Sequence, residues 1–214
     1  MVAGQKLVGR DGKEVMLFPL PYMYISQGEG GSYSHAGTYN IDFLGWDANG
    51  RVYTAPLYAP CSCTCVALVT GADNGRIFQS NDRVHTPNGL QYVTFMFFHD
   101  NNPIASVGNR FEQGDLIGHT GTAGNVSGDH THFNTADGQY AGSEHVPPDN
   151  QWQLVNSDHI YDICYVNDTV LVEDYNYNWV EYSGGIVPVE GSIRKFPWVL
   201  YANKLRTRNN NLTF

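Results

Sequence analysis

The sequence predicts an all-β fold, mainly antiparallel sheet, with long loops and few or no helices. Charged residues make up only 15% of the chain while Gly and Tyr are plentiful, which favours strands and turns over helices. Turn signals such as Asp47-Ala48-Asn49-Gly50, Asp73-Asn74-Gly75 and Pro87-Asn88-Gly89 recur between short apolar or alternating runs, the spacing of an antiparallel sheet. No long stretch repeats apolar residues with the helical period.

Taken in order, residues 1–34 are Gly-rich with apolar patches at Val15–Phe18 and Tyr22–Ile25, and read as a short strand or two plus loops. Ile41–Trp46 reads as a strand with a polar interruption, and Arg51–Ala55 and Cys61–Thr70 as strands after the first turn. Arg76–Gln79 follows the second turn. Gln91–Phe98 follows the third and is the strongest strand pattern in the chain. Gly114-Asp115-Leu116-Ile117-Gly118 has the pattern of a short strand entering a tight turn, and Gly121-Thr122-Ala123-Gly124 that of a glycine-rich loop. From about residue 169 the texture changes: Tyr175–Tyr182 alternates aromatic and polar side chains, and Arg206–Asn211 reads as a frayed end or linker. This divides the chain into a domain over 1–168 and an extension over 169–214, which serves either as edge strands covering the sheet or as a docking arm whose Tyr175, Tyr177, Trp179 and Tyr182 form a contact surface.

The net charge of −9 argues against a nucleic-acid partner and against simple electrostatic adhesion to an anionic envelope. The N-terminal residues show no apolar core of a signal peptide, and no apolar run reaches the length of a membrane span. The cysteines Cys61, Cys63, Cys65 and Cys164 read as small buried strand residues.

Chemistry concentrates on five residues. His130 and His132 stand two apart in Gly128-Asp129-His130-Thr131-His132-Phe133. On an extended segment both point to one face with Cα atoms roughly 6.5–7 Å apart, which suits one ring binding a metal and the other touching water or substrate. His99 ends the strongest strand, and His35 and Asp42 lie in Ser34-His35-Ala36-Gly37-Thr38-Tyr39-Asn40-Ile41-Asp42-Phe43. Two histidines and one carboxylate around a zinc ion leave a fourth position open, which is the catalytic arrangement. Further histidines suit proton transfer or oxyanion stabilisation, because their pKa lies near working pH. His85 and His119 are spare, and His145 and His159 read as structural.

The order of these residues, over roughly residues 30–140, resembles that of the lysostaphin/LytM-type zinc endopeptidases of peptidoglycan. That family reads His-x-x-x-Asp, a strand ending in a Tyr-x-His-like triplet, a Gly-x-x-Ile-Gly turn, a Gly-x-Thr-Gly loop and a closing Gly-x-His-Leu-His-Phe. Here the strand ends Phe97-Phe98-His99, the turn is Gly114–Gly118, the loop is Gly121–Gly124 and the close is Gly128–Phe133, while Thr54-Ala55-Pro56 resembles the family's Ala-Pro strand. The resemblance implies the lysostaphin-type peptidase fold, one zinc ion held by His35, Asp42 and His132, and His99 and His130 as catalytic histidines, one assisting deprotonation of water and the other holding the oxyanion. Three of the chain's departures from the pattern bear on the site. Six residues, Ala36 to Ile41, separate the first His from Asp, and Gly37 permits the tight return this needs. Thr131 replaces Leu, and Asn134 stands where an acidic residue is common.

The function this implies is zinc-dependent hydrolysis of stem or cross-bridge peptides of bacterial peptidoglycan. An extracellular substrate without a signal peptide implies a bacteriophage enzyme, either at the virion tail tip, with other phage tail proteins as partners, or released from the host cytoplasm through a holin. The alternative is a catalytically inactive peptidase-like module for wall docking or tail assembly.

Overall fold

The computed structural model describes residues 1–166 and, as backbone pairing, Val170–Val172, Ser183–Ile186 and Arg194–Pro197. The strands of the main sheet are β1 (Met23–Gln27), β2 (Ile41–Leu44), β3 (Cys63–Val69), β4 (Gly75–Ser80), β5 (Val93–Phe97), β6 (Arg110–Phe111), β7 (Thr131–Asp137), β8 (Ser157–Asp158) and β9 (Val170–Val172). They form one nine-stranded sheet in the order β6-β3-β4-β5-β7-β2-β1-β9, with β8 beside β7. Every pairing in it is antiparallel except that of β1 with β9. The only helix among the described residues is the single turn Ile160–Ile163. The all-β, mainly antiparallel fold is therefore the one the composition and turn spacing predict.

The central strands are covered on both faces. On one, Phe95, Phe97 and Phe133 join Phe18, Phe43 and Phe78 in the larger core cluster. The Phe97 and Phe133 rings stack with centroids 4.8 Å apart, and Phe78 and Phe95 with centroids 5.3 Å apart. On the other face Ile77, Met96, Phe98, Ala136 and Leu154 form a second cluster. The alternation of side chains along β5 and β7 explains the division: odd positions feed the first core, even positions the second. Each fully buried Phe or Leu removed from water contributes on the order of 1.5–3 kcal/mol, which makes the sheet centre a firm platform. Cys61, Cys63, Cys65 and Cys164 are free thiols buried in the larger cluster.

One expected strand differs. Over Arg51–Ala55 only Gly50–Arg51 is a strand, paired with Trp46–Asp47. The chain then turns through Thr54 at a positive φ of 52°, and Pro56–Tyr58 pairs with Leu116–His119 instead. Val15–Phe18 forms no strand but makes isolated bridges, Val15 to His85 and Leu17 to Tyr165. The hairpin of Ser143–Val146 with Gln151–Leu154 carried no recognised sequence signal. Tyr175, Tyr177, Trp179, Tyr182 and the segment Arg206–Asn211 lie outside the described residues.

Candidate metal centre

The centre lies on the second face of the sheet, where β2 and β7 meet. The antiparallel register sets His132 directly opposite Asp42, flanked by Thr131 opposite Phe43 and Phe133 opposite Ile41. Opposed residues in such a ladder point to the same side, so the register alone brings carboxylate and imidazole together. His35 arrives from the preceding loop. Its backbone N–H donates to Gly31 O (2.9 Å), and its Nδ1–H donates to Gly28 O (3.2 Å). That bond leaves the Nε2 lone pair facing Asp42 Oδ1 at 3.3 Å.

One ligand atom from each of His35, Asp42 and His132 lies within 4.8 Å of the other two, and all three residues are buried. His132 Nδ1 stands 3.2 Å from Asp42 Oδ1. Donors around a tetrahedral zinc at its usual bond lengths sit about 3.3 Å from one another, so the two spacings at Asp42 Oδ1 are those of a metal-ligand set. His35 Nε2 and His132 Nε2 are buried without a hydrogen-bond partner. A lone pair on His35 Nε2 facing a carboxylate oxygen with no proton between them is unfavourable unless a cation sits there. The residues therefore fit a divalent metal.

The electrostatics prepare the ligands. Burial would lift the Asp42 carboxyl, but His35 and His132 beside it outweigh this and hold it well below the usual carboxylate range. Burial depresses His132, so its ring is neutral and carries a lone pair at neutral pH. Gln27 fixes the outer oxygen of the carboxylate: its Nε2–H donates to Asp42 Oδ2 at 2.9 Å, while its Oε1 accepts from Ser34 N at 2.9 Å.

His99 and His130 stand on the open side, both half-buried, with ring centroids 4.7 Å apart. His99 Nδ1–H donates to Ala123 O (2.9 Å) and His130 Nδ1–H to Gly128 O (2.8 Å). Each ring is thus a tautomer whose Nε2 is free to accept a proton, and His130 Nε2 lies 3.7 Å from Asp42 Oδ1. Burial and the neighbouring His130 and His132 push His99 down to about 3. The structure thus brings all five residues singled out in the sequence to one place.

His99 holds a φ of 79°, uncommon for a residue with a side chain and costing roughly 1–3 kcal/mol. Its neighbours enforce it: His99 N–H donates to Asp73 O (2.8 Å) and its carbonyl accepts from Ala123 N (3.0 Å). A Cβ on Gly121 would collide with that same carbonyl oxygen, which is why the loop needs glycine there. Gly121→Ala is therefore expected to lower stability by about 1–3 kcal/mol and to displace His99. Chemical denaturation together with the His99 ring NMR shifts tests this, and unchanged shifts would refute it.

Residues without a sequence signal complete the centre. Asp129, ahead of His130, accepts from Thr54 N (3.0 Å) and Thr120 Oγ1 (2.7 Å), while Arg51 donates to its carbonyl. Glu29 forms an ion pair with His159. His119, spare in the sequence, sits 3.7 Å from the Asp100 carboxylate, and its own N–H is bonded to the same oxygen at 2.8 Å. His85 pairs with Asp11.

No protein-family model matches the chain. It is 36% identical over 174 residues to Morphogenesis protein 1 of Bacillus phage B103, which covers 80% of this chain and 45% of that protein. The chain thus spans under half the length of this curated relative. Solved structures similar to it include a zinc-containing peptidase from Vibrio cholerae, at 16% identity and TM-score 0.41 over 62% of this chain and 43% of that one. Another is the catalytic domain of lysostaphin from Staphylococcus simulans, at 19% identity and TM-score 0.38 over 64% and 83% of the two chains. A third is the catalytic domain of the prophage-encoded M23 protein EnpA from Enterococcus faecalis, at 16% identity and TM-score 0.40 over 56% and 92%. Among the described residues no helix is long and apolar enough to cross a membrane.

Proposed function

We propose that this chain is a zinc-dependent endopeptidase of the lysostaphin/LytM type that hydrolyses peptide bonds of bacterial peptidoglycan for a phage. The observation that carries it is the set of ligand atoms from His35, Asp42 and His132 gathered at metal-binding distance, with two further imidazoles on the open side. The likeness to a phage morphogenesis protein supports a phage role, action from the virion and other phage proteins as partners. We assign the peptidase to residues 1–168 and read 169–214 as an extension.

His35, Asp42 and His132 would hold the metal. When bound, zinc would acidify a water and polarise the scissile carbonyl. The Nε2 atoms of His99 and His130 stand beside that ligand set, where one ring would take the proton of the attacking water and the other would stabilise charge on the substrate oxygen. The backbone carbonyls of Ala123 and Gly128 hold the Nδ1–H of each ring and leave Nε2 facing the site, so an unprotonated Nε2 accepts the water's proton and a protonated one donates to the substrate oxygen. The depressed His99 stays neutral through the working range, so it serves as acceptor at rest and donor only after protonation.

The test is wall digestion. Chelation is expected to abolish release of peptidoglycan fragments, and zinc to restore it, with mass spectrometry of the products identifying the bond. Full activity in a metal-free preparation would refute the proposal.

A further inference from the structure

The His35-to-Asp42 span carries six intervening residues, and a longer loop has more conformations in which its two ends fail to meet one ion. The contacts that hold it come largely from one side. Within the loop Thr38 N–H and Thr38 Oγ1 both bond to His35 O at 3.0 Å. Beyond it, Tyr39 N–H donates to Gln153 Oε1 (2.9 Å) and Asn40 Nδ2–H to Trp152 O (3.1 Å). Both acceptors belong to the second strand of the hairpin formed by Ser143–Val146 and Gln151–Leu154.

The same strand also grips the segment bearing His132. Asn134 Oδ1 accepts from Leu154 N (3.0 Å) and from Ser157 Oγ (2.7 Å). Asn134 follows His132 by two positions, so it shares its face of the sheet. It directly follows Phe133, which pairs with Ile41, the residue after Asn40. Asn40 and Asn134 are fully buried and Gln153 nearly so, so water does not compete easily for these bonds.

We propose that the Ser143–Leu154 hairpin is a brace for the metal centre: through Gln153 and the Trp152 carbonyl it sets the loop bearing Asp42, and through Leu154 and Asn134 it locks the strand bearing His132. Gln153 and Asn134 are positioning residues that act through the ligands. The brace rests on the reading of His35, Asp42 and His132 as metal ligands. It accounts for one departure of the sequence: the long gap is tolerated because the hairpin takes up its slack.

The experiment measures zinc affinity and zinc release by chelator competition on the full chain, with the melting temperature of the zinc-free protein beside them. Gln153→Ala is expected to weaken zinc about tenfold, the scale for lost outer partners of a metal ligand, with the zinc-free melting temperature little changed. Gln153→Glu, which keeps an acceptor for Tyr39 N–H, is expected to recover most of the affinity. Ser157→Ala removes one of the two bonds to Asn134 and is expected to weaken zinc less, providing an independent variant should Gln153→Ala fold poorly. Wild-type zinc affinity and release in both alanine variants would overturn the brace while leaving the metal centre intact. A wild-type chain that holds no zinc would overturn the metal reading and the brace with it.

Discussion

An Asp42→Asn chain is expected to fold normally and to lose zinc, with affinity falling by more than about 100-fold, beyond the range seen for outer-sphere partners. The substitution keeps the shape of a side chain buried between three histidines. Its amide oxygen can turn toward Gln27 Nε2, which already donates to this carboxylate at 2.9 Å. Its NH2 then faces His35 Nε2, whose lone pair otherwise has no partner. A hydrogen bond thus forms where the cation belongs, and the zinc-free protein is satisfied without it. Metal content after dialysis, and melting temperature with and without added zinc, report the two halves of this expectation. The wild type is expected to gain stability from zinc according to ligand concentration over Kd, and the variant to gain far less at the same concentration. Stoichiometric zinc in the variant would show that Asp42 is not a ligand.

Removing His99 separates chemistry from binding. A His99→Ala chain is expected to keep zinc, since its ring lies 6.1 Å from that of His132, yet to lose on the order of 10²–10⁴ in turnover; His130→Ala should behave alike. An inactive docking module would show no such loss, because it has no turnover to lose. The zinc-free protein provides a second reading. His99 is pushed down to about 3 when folded, whereas an unfolded histidine titrates near 6.5. Between those values the unfolded chain binds more protons, so stability falls as pH drops through that window. The melting temperature of the zinc-free wild type is expected to decline from pH 6.5 downward, and that of His99→Ala to decline less steeply. Parallel acid limbs would mean that His99 is not held neutral by the fold.

The sequence made these five residues visible through their joint order along the chain. His130 and His132 stand two apart and His99 closes the most apolar strand, while His35 and Asp42 gain weight only from preceding them in the family's order. What holds them was hidden, because the partners lie far apart along the chain. Gln153 reaches Tyr39 across 114 positions and Asp129 reaches Thr54 across 75. Nothing in the residues around Gln153 marks it as part of a metal centre, and Asp129 falls at the unassigned position of the Gly-x-His pattern. The failed strand over Arg51–Ala55 has a local cause: Thr54 adopts a positive φ to hand its N–H to Asp129. Alternation predicted extended backbone there, and a buried carboxylate claimed the residue instead.

The ladder pairing of Asp42 with His132 joins residues 90 positions apart. Such non-local contacts pay loop-closure entropy before they return any stabilisation, and sheets built on them fold slowly. A growing chain that has emerged only as far as the strongest strand carries His35, Asp42 and His99 but no complete ligand set. With the proposed ligand set, metal capture would therefore come late in folding, once β7 has inserted between β5 and β2. On that reading zinc retention would report a finished sheet, and a chain stalled earlier or misregistered by one residue, with His132 turned to the opposite face, is expected to bind the ion poorly.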